Sequence, residues 1–204
     1  TSDVTNIECN RNFDDIKDII SSRPTNVCKL LFMGVDWFRK GGNIALDVAK
    51  YLNKSGIKTE LYIVGCKPIV NKSLPHYVKL YGFIDKSSKE GISKLNKLLS
   101  ESHFLILPSV AECYGVVFCE ASSYGVPSIT TNVGGITTAV KDGFNGKTFS
   151  KGASIAEYCT YIFNLWSNYS EYKKLALSSF NEYQSRLNWT IAGKNVKKIL
   201  EDTI

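Results

Sequence analysis

Two glutamates set eight positions apart are the first residues in this sequence whose types and spacing suggest chemistry. They are Glu112 and Glu120, in the stretch "AECYGVVFCEASSYG" at 111–125. Small and apolar residues surround Glu120, so a helix through this stretch leaves little polar face for it. Because an isolated buried carboxylate is costly, we expect Glu120 to have a cation or a ligand as its partner.

The spacing of the two glutamates suits an elongated ligand with hydroxyls at both ends. If a helix begins at Gly115, its free N–H groups attract anions, and Glu112 lies in the loop before it. Eight helical residues span about 12 Å, roughly the reach between the two polyhydroxyl ends of a nucleoside diphosphate sugar. Each carboxylate can accept hydrogen bonds from vicinal hydroxyls. The alternative makes Glu120 a surface residue of an amphipathic helix, and the spacing alone does not decide between the two.

The elements that must position these residues alternate between strands and helices. Five apolar runs of strand length lack polar alternation, which is typical of parallel strands buried on both faces. They are "CKLLFMG" (28–34), "TELYIVG" (59–65), "YVKLYGF" (77–83), "HFLILPS" (103–109) and "VPSITT" (126–131). Helical spacing of apolar residues fills 41–56 and 88–102. We therefore predict an α/β fold, a Rossmann-like doubly wound parallel sheet with helices on both faces.

After Phe149 the alternation ends and the sequence predicts a helical C-terminal segment. Two or three helices are expected, at about 151–167, 170–187 and 189–202. Trp166, Trp189 and Leu200 are the expected packing residues.

Ligands of open parallel sheets bind outside the carboxyl ends of the strands, so the loops there are the candidate site. These loops are "GVDWFRKGG" (34–42), "GCKP" (65–68), "GFIDKSS" (82–88), "SVAECYG" (109–115) and "TNVGGI" (131–136). No GxGxxG follows the first strand and no GxxxxGK[ST] occurs, which argues against dinucleotide and P-loop sites. A nucleophilic triad has no support, because neither histidine falls in these loops and His103 should lie at the opposite end of its strand.

Bulk composition fits one soluble domain. Of the 204 residues, 44% are hydrophobic and 22% are charged. This length and hydrophobic content are sufficient to form a buried core. We expect residues 1–27 to be an N-terminal lead or linker and 28–204 a single domain. The sequence suggests neither a signal peptide nor a membrane span, which favours a cytoplasmic protein. With His76 and His103 as the only histidines, a histidine-rich metal centre is excluded.

The cysteines and the charge point to no further site. Six cysteines are scattered without a CxxC, which predicts reduced thiols rather than disulfides or a zinc site. They are Cys9, Cys28, Cys66, Cys113, Cys119 and Cys159. The net charge of +6 is modest, and we expect no nucleic-acid partner. Lys194, Lys197 and Lys198 favour a solvated surface, with peripheral membrane contact as the open alternative.

The stretch "ECYGVVFCE" resembles the E-x7-E motif of retaining glycosyltransferases of the GT-B type, specifically family 4. The similarity extends from about Lys29 to Phe149 and includes the tail "NWTIAGKNVKKILE". The segments that follow the family's order are "KLLFMGVDWFRKGG", "TELYIVG", "VKLYGFIDK", "HFLILPSVAECYGVVFCEASSYGVPSITTNVGGI" and "VKDGFNGKTF". Such enzymes have two α/β domains, and this chain resembles the C-terminal, donor-binding one.

The resemblance assigns roles to the glutamates and to one lysine. Glu112 would bind hydroxyls of the transferred sugar, Glu120 would bind the ribose hydroxyls, and Lys40 would neutralise the donor diphosphate. Glu112 and Lys40 are the candidate catalytic residues. Further candidate substrate-binding residues are Gly34, Arg39, Gly41, Phe83, Ile84, Tyr114, Gly115, Val116, Val117, Gly134 and Gly135.

Several of these positions have a more specific expectation. The backbone of 115–117 would hold phosphate or sugar oxygens, and the backbone near Phe83 and Ile84 would meet the base. Gly134 and Gly135 would allow close approach to the donor, with a tight turn alone as the open alternative. The family usually has an arginine where this sequence has Val35, and Arg39 is the expected substitute for that charge.

The implied chemistry is retaining, metal-independent transfer of a hexosyl group from a nucleoside diphosphate sugar to an unknown acceptor, without a cofactor. An N-terminal acceptor-binding domain is the implied partner, and the chain is then an excised domain or an independent subunit. The alternative function is a non-catalytic nucleotide-sugar-binding module. A GT-B-type epimerase is a third class, but the acid and base residues it needs cannot be placed.

Overall fold

The computed structural model describes residues 11–71 and 73–203. The described strands are β1 Cys28–Met33, β2 Thr59–Val64, β3 Val78–Gly82, β4 Phe104–Leu107, β5 Ser128–Thr131 and β6 Gly146–Phe149. The described helices are α1 Phe13–Ser22, α2 Gly42–Lys54, α3 Lys89–Glu101, α4 Val116–Ser122, α5 Ile136–Ala139, α6 Ile155–Ser167, α7 Tyr169–Arg186 and α8 Trp189–Glu201.

The strands form one parallel sheet in the order β3-β2-β1-β4-β5-β6. All five predicted strands are present, and each lies within its predicted run. β4 and β5 are fully buried, and β1 has one partly exposed residue, Lys29. The order reverses between β1 and β4, the two central strands, which is the topological switch point of a doubly wound sheet.

Helices cover both faces of the sheet, as predicted. α2 packs against α6, while α1 and α4 pack against α7. On α2 the buried residues recur at helical spacing, and they include Ala45, Val48, Ala49 and Leu52. These residues join the sheet residues in one hydrophobic cluster.

Helix α1 and strand β6 were not expected from the sequence. The side chain of Asn12 caps α1 by accepting from Asp14 and Asp15. Ile16 and Ile20 of this helix are buried in the same cluster as the sheet. Residues 13–22 therefore pack on the domain, although the sequence suggested a lead or linker up to residue 27.

The C-terminal segment is helical as predicted, but its packing differs from expectation. Trp166 packs edge-on against His103 with ring centroids 5.1 Å apart. Trp189 and Leu200, by contrast, are 55% and 60% exposed, so their prediction as packing residues was wrong. The sequence of α8 is amphipathic, but its apolar face is not covered, because none of its residues is buried in this structure.

The five cysteines in the described part of the chain are free. Cys9 lies outside the described residues. No helix among the described residues is long and apolar enough to cross a membrane.

Candidate functional site

The loops that follow β1 and β4 meet at the switch point of the sheet. The N–H of Val110 donates to the carbonyl of Arg39 at 2.8 Å, which joins the two loops. Gly41 allows the close approach, because a Cβ there would lie 2.0 Å from the carbonyl oxygen of Pro108. Its φ of +74° also favours glycine. The two loops are thus held together before any ligand binds.

Lys40 and Glu112 form an ion pair across these loops. Lys40 Nζ donates to Glu112 Oε2. Their side chains are only 11% and 12% exposed. The other carboxylate oxygen of Glu112 accepts from the Cys113 N–H at 3.2 Å. The structure therefore brings together the two residues that the sequence suggested for catalysis.

Arg39 lies beside this ion pair. Its Nη1 donates to the carbonyl of Ala111 at 3.3 Å, directly before Glu112. Its Nε lies 3.7 Å from Asp36 Oδ2, which offsets part of its charge. Val35 is 68% exposed and brings no charge to this loop. Substitution of Arg39 for the missing arginine stays a prediction.

Gly134 and Gly135 pack against the loop that carries Glu112. A Cβ at Gly134 would lie 1.9 Å from the Glu112 carbonyl oxygen, and one at Gly135 would lie 2.0 Å from that of Cys113. A side chain at either position would push this loop away. The glycines thus allow the backbone of the loop that carries Glu112 to pack closely, and their approach to a donor stays a prediction.

Glu120 lies inside α4, whose N-cap is Gly115. The residue is 9% exposed, as its apolar neighbours predicted. Lys86 Nζ donates to Glu120 Oε1 at 2.5 Å. The second oxygen, Oε2, is buried and has no partner among the described residues. A buried carboxylate oxygen without a donor is costly, so it marks a place where a ligand hydroxyl would be favourable.

A cavity of about 340 Å³ adjoins Glu120. Its walls are mainly apolar, and Glu120 and Lys86 are its charged residues. The lining residues are Met33, Gly34, Val35, Val64, Gly65, Phe83, Ile84, Lys86, Leu95, Val116, Val117 and Glu120. This combination of apolar walls and few polar groups is typical of small-molecule sites.

The predicted site residues fall into two groups along the carboxyl edge of the sheet. Gly34, Phe83, Ile84, Val116, Val117 and Glu120 line the cavity. Arg39, Lys40, Gly41, Glu112, Gly134 and Gly135 surround the ion pair. Between the glutamates lie Tyr114 and Gly115. Burial, then the neighbouring Cys119, raises the pKa of Tyr114 to about 12.

Lys86 is the charged residue of this site that was not predicted from the sequence. It belongs to "GFIDKSS", the loop after β3, which was already placed at the carboxyl edge. A lysine in such a loop could have been included for that reason alone.

His103 lies away from the site, at the amino end of β4, as predicted. Its Nδ1 accepts from the N–H of Lys29 at 3.0 Å. Burial and the nearby cations Arg23 and Lys29 lower its pKa to about 3. His103 is therefore a neutral structural residue at neutral pH.

A larger cavity, of about 660 Å³, lies between α2 and the segment before β3. Its described lining residues include Phe38, Asp47, Lys50 and Ile69. None of the predicted site residues lines it, and no unpartnered buried polar atom was found among its described lining residues. We therefore favour the smaller cavity as the ligand site. Within the described parts of the chain, no cluster of three or more His, Cys, Asp or Glu could hold a metal ion.

Comparison with known proteins gives one family and a consistent fold. The family model described as "Glycosyl transferases group 1" matches residues 28–168. An uncharacterized glycosyltransferase of Methanocaldococcus jannaschii is 25% identical over 173 residues, covering 84% of this chain and 47% of that protein. The chain thus spans about half the length of this relative.

Two solved structures resemble the fold. WaaG, a glycosyltransferase involved in lipopolysaccharide biosynthesis, superposes with a TM-score of 0.69 at 18% identity, covering 96% of this chain and 53% of WaaG. Anabaena HepE, solved with UDP and glucose, has a TM-score of 0.70 at 17% identity, with coverage of 94% and 53%. At these identities the likeness establishes the fold alone.

Proposed function

We propose that this chain, which belongs to the glycosyl transferases group 1 family, is the donor-binding half of a glycosyltransferase. The observation that carries the proposal is the buried carboxylate of Glu120, a residue that lines an apolar cavity and whose Oε2 has no partner among the described residues. A ribose hydroxyl would satisfy this oxygen. The base would then lie against the apolar walls, near the backbone of Phe83 and Ile84.

The diphosphate and the sugar belong, in this proposal, at the neighbouring ion pair. Lys40 and Arg39 are the cations that would face the diphosphate, and Glu112 would accept from hydroxyls of the sugar. The backbone of 115–117 runs between the two glutamates and would hold oxygens of the same group. The Anabaena neighbour was solved with UDP and glucose, which makes UDP-glucose a reasonable first donor to try.

We propose retaining, metal-independent transfer of a hexosyl group. When the bond between sugar and diphosphate breaks, negative charge grows on the leaving oxygen. A lysine ammonium fixed in a buried pair can stabilise that charge without reorganising. Glu112 orients both this ammonium and the sugar hydroxyls. If this is correct, EDTA leaves donor turnover by the complete protein unchanged, whereas a metal-dependent site would lose it.

The partner in this proposal is an acceptor-binding domain on the N-terminal side. The chain covers 47% of the Methanocaldococcus relative and 53% of WaaG, so about half of each has no counterpart here. A second candidate, a nucleotide-sugar-binding module without transfer, is favoured by one observation. Val35 stands where the family usually has an arginine, so the site has one cation fewer.

Calorimetric titration of the chain with UDP, GDP, ADP and their sugar conjugates tests the donor site. Glu120→Gln keeps the shape of the side chain and removes its charge, and we expect it to weaken the preferred nucleotide about tenfold or more. Glu90→Gln, on the exposed start of α3, is the matched control and should bind as the unmodified chain does. No binding at all, or equal binding by Glu120→Gln, would overturn the proposal.

A further inference from the structure

Lys86 and Glu120 form the charged wall of the cavity beside α4. Lys86 lies in the loop between β3 and α3, far along the chain from Glu120. Its side chain is 51% exposed, whereas that of Glu120 is 10% exposed. The carboxylate is thus fixed inside the protein, and the ammonium reaches it from the rim.

The two carboxylate oxygens of Glu120 differ in their hydrogen bonds. Oε1 accepts from Lys86 at 2.5 Å, and Oε2 has no partner among the described residues. A vicinal diol has two hydroxyls, and each can both donate and accept. Glu120 held in this way has one unpaired oxygen, Oε2, which can accept from one hydroxyl of the pair. The other hydroxyl can then accept from a donor beside the carboxylate.

The ammonium of Lys86 can be that donor. It has three N–H donors, and the contact with Glu120 uses one of them. Its nitrogen lies at hydrogen-bond distance from Oε1, so the ammonium donor and the unpaired acceptor Oε2 belong to one ion pair. A donor and an acceptor held side by side can each pair with one hydroxyl of a vicinal diol.

We propose that Lys86 is a specificity-determining residue that recognises the ribose diol together with Glu120, so that the site selects ribonucleotides over deoxynucleotides. The inference rests on the proposed function, because it needs a nucleotide in this cavity. It extends that function to a residue outside the E-x7-E motif. A lysine that served only as counter-ion to Glu120 would instead be displaced when the ribose binds.

The test compares dissociation constants for the preferred nucleoside diphosphate with those for its 2′-deoxy and 3′-deoxy forms. The proteins are the unmodified chain, Lys86→Met and Lys89→Met. Lys89 is exposed at the start of α3, so its variant removes the same charge three positions away. We expect Lys86→Met to weaken the ribonucleotide about tenfold. It should weaken one of the two deoxy forms by only about threefold or less, because that form lacks the hydroxyl that accepts from Lys86.

Lys89→Met should weaken all three nucleotides equally and by about threefold or less, since it changes only the long-range field. The inference is overturned if Lys86→Met binds the ribonucleotide as tightly as the unmodified chain or more tightly. Equal weakening of the ribonucleotide and both deoxy forms also overturns it. In both cases the unmodified chain still binds, so the proposed function stands. If the unmodified chain binds no nucleoside diphosphate, the proposed function and this inference fail together.

Discussion

Each glutamate of the motif is held by a lysine from a different loop, and the two ion pairs differ in burial. Lys40 and Glu112 are both nearly nine-tenths covered, whereas Lys86 is half exposed. Water can replace an exposed partner, but it reaches a buried one poorly. Because the two glutamates are about equally buried and only the lysines differ in exposure, we expect the loss of Lys40 to destabilise the chain more than the loss of Lys86.

We predict that Lys40→Met destabilises the chain by about 3 kcal/mol, because it leaves the Glu112 carboxylate buried and unpaired. Urea unfolding measures the change. Lys174→Met, which breaks an exposed pair with Glu171, should cost less than about 1 kcal/mol. In Lys40→Met/Glu112→Gln part of the loss should return, because the unpaired charge is gone. Equal costs for Lys40→Met and Lys174→Met would refute the buried-pair argument.

A second prediction concerns pH and His103. Burial, Arg23 and Lys29 hold the pKa of His103 at about 3 in the folded chain, against about 6.5 in an unfolded one. As the pH falls from about 6.5 towards 3, the unfolded state gains a proton that the folded state lacks. Stability should therefore fall by up to about 1.4 kcal/mol per pH unit from this residue. Below pH 3 both states carry the proton, and no further loss comes from it.

His103→Asn tests this, because its Oδ1 can still accept from the Lys29 N–H. Carboxylates add their own pH dependence to both proteins, so the measured quantity is the difference between the two unfolding curves from pH 7 to pH 4.5. As the pH falls, the free energy of unfolding of the unmodified chain should decrease more steeply than that of His103→Asn, by up to about 1.4 kcal/mol per pH unit. Parallel curves would mean that His103 is protonated in the folded chain.

The sequence predicts the burial of a site residue well when the apolar residues that bury it are its neighbours in the chain. The neighbours of Glu120 alone indicated its burial, and the structure agrees. Its partner is 34 positions away in the chain, and only the placement of its loop at the carboxyl edge of the sheet distinguishes Lys86 from other lysines. Gly134 and Gly135 show the same limit, because their contacts with the Glu112 loop exist only once β4 and β5 are paired.

At the scale of elements, the four buried strands and the edge strand β3 were predicted, whereas the edge strand β6 and helix α1 were not. β1 and β2 give continuous apolar runs because both their faces are covered. β6, "GKTF", is an edge strand with two partly exposed residues, so its sequence lacks that signal. α1 has only two buried residues. The capping box at its start was not recognised in the sequence. α8 misled in the opposite direction, since its apolar stripe contacts no described element closely enough to be buried.

The packing of α1 gives a prediction at this scale. Ile16→Ala should destabilise the chain by about 2–4 kcal/mol, because Ile16 is fully buried and its loss leaves a cavity. Ile19→Ala, on the same helix but only partly buried, should cost clearly less. Urea unfolding of both variants gives the comparison. If neither changes stability, α1 does not belong to the cooperative unit and the boundary at residue 28 is restored.

At the scale of the whole molecule, the reversal of strand order gathers the site. The strands β1 and β4 are far apart in the sequence but adjacent in the sheet. Lys40 and Glu112, which are 72 positions apart in the chain, therefore come into contact. The loop after β3 contributes Lys86 on the β1 side of the sheet. One edge thus carries both glutamates, both lysines and the cavity. Exposed apolar side chains, including Val35, Phe83 and Val116, lie along the same edge and leave it open to a second body.

This open edge predicts that nucleotide binding and sugar transfer can be separated. The described chain holds a complete ribose and diphosphate site in our proposal, but it offers nothing that faces the sugar from the other side. We expect the chain alone to bind the donor nucleotide without releasing sugar. A longer protein that includes the N-terminal half should release sugar from the donor, slowly to water even when the acceptor is unknown. Release of free nucleoside diphosphate is the measurement.

In that longer protein, Glu112→Gln should lower the rate of release about a hundredfold while nucleoside diphosphate binding changes little, because in our proposal Glu112 acts on the sugar and on Lys40. Glu120→Gln should instead weaken binding of the nucleotide. Release by the isolated chain at the rate of the longer protein would contradict the need for a second half. Binding without release by any version would favour the non-catalytic module, since a site that holds a donor but never breaks its glycosidic bond is a receptor for it.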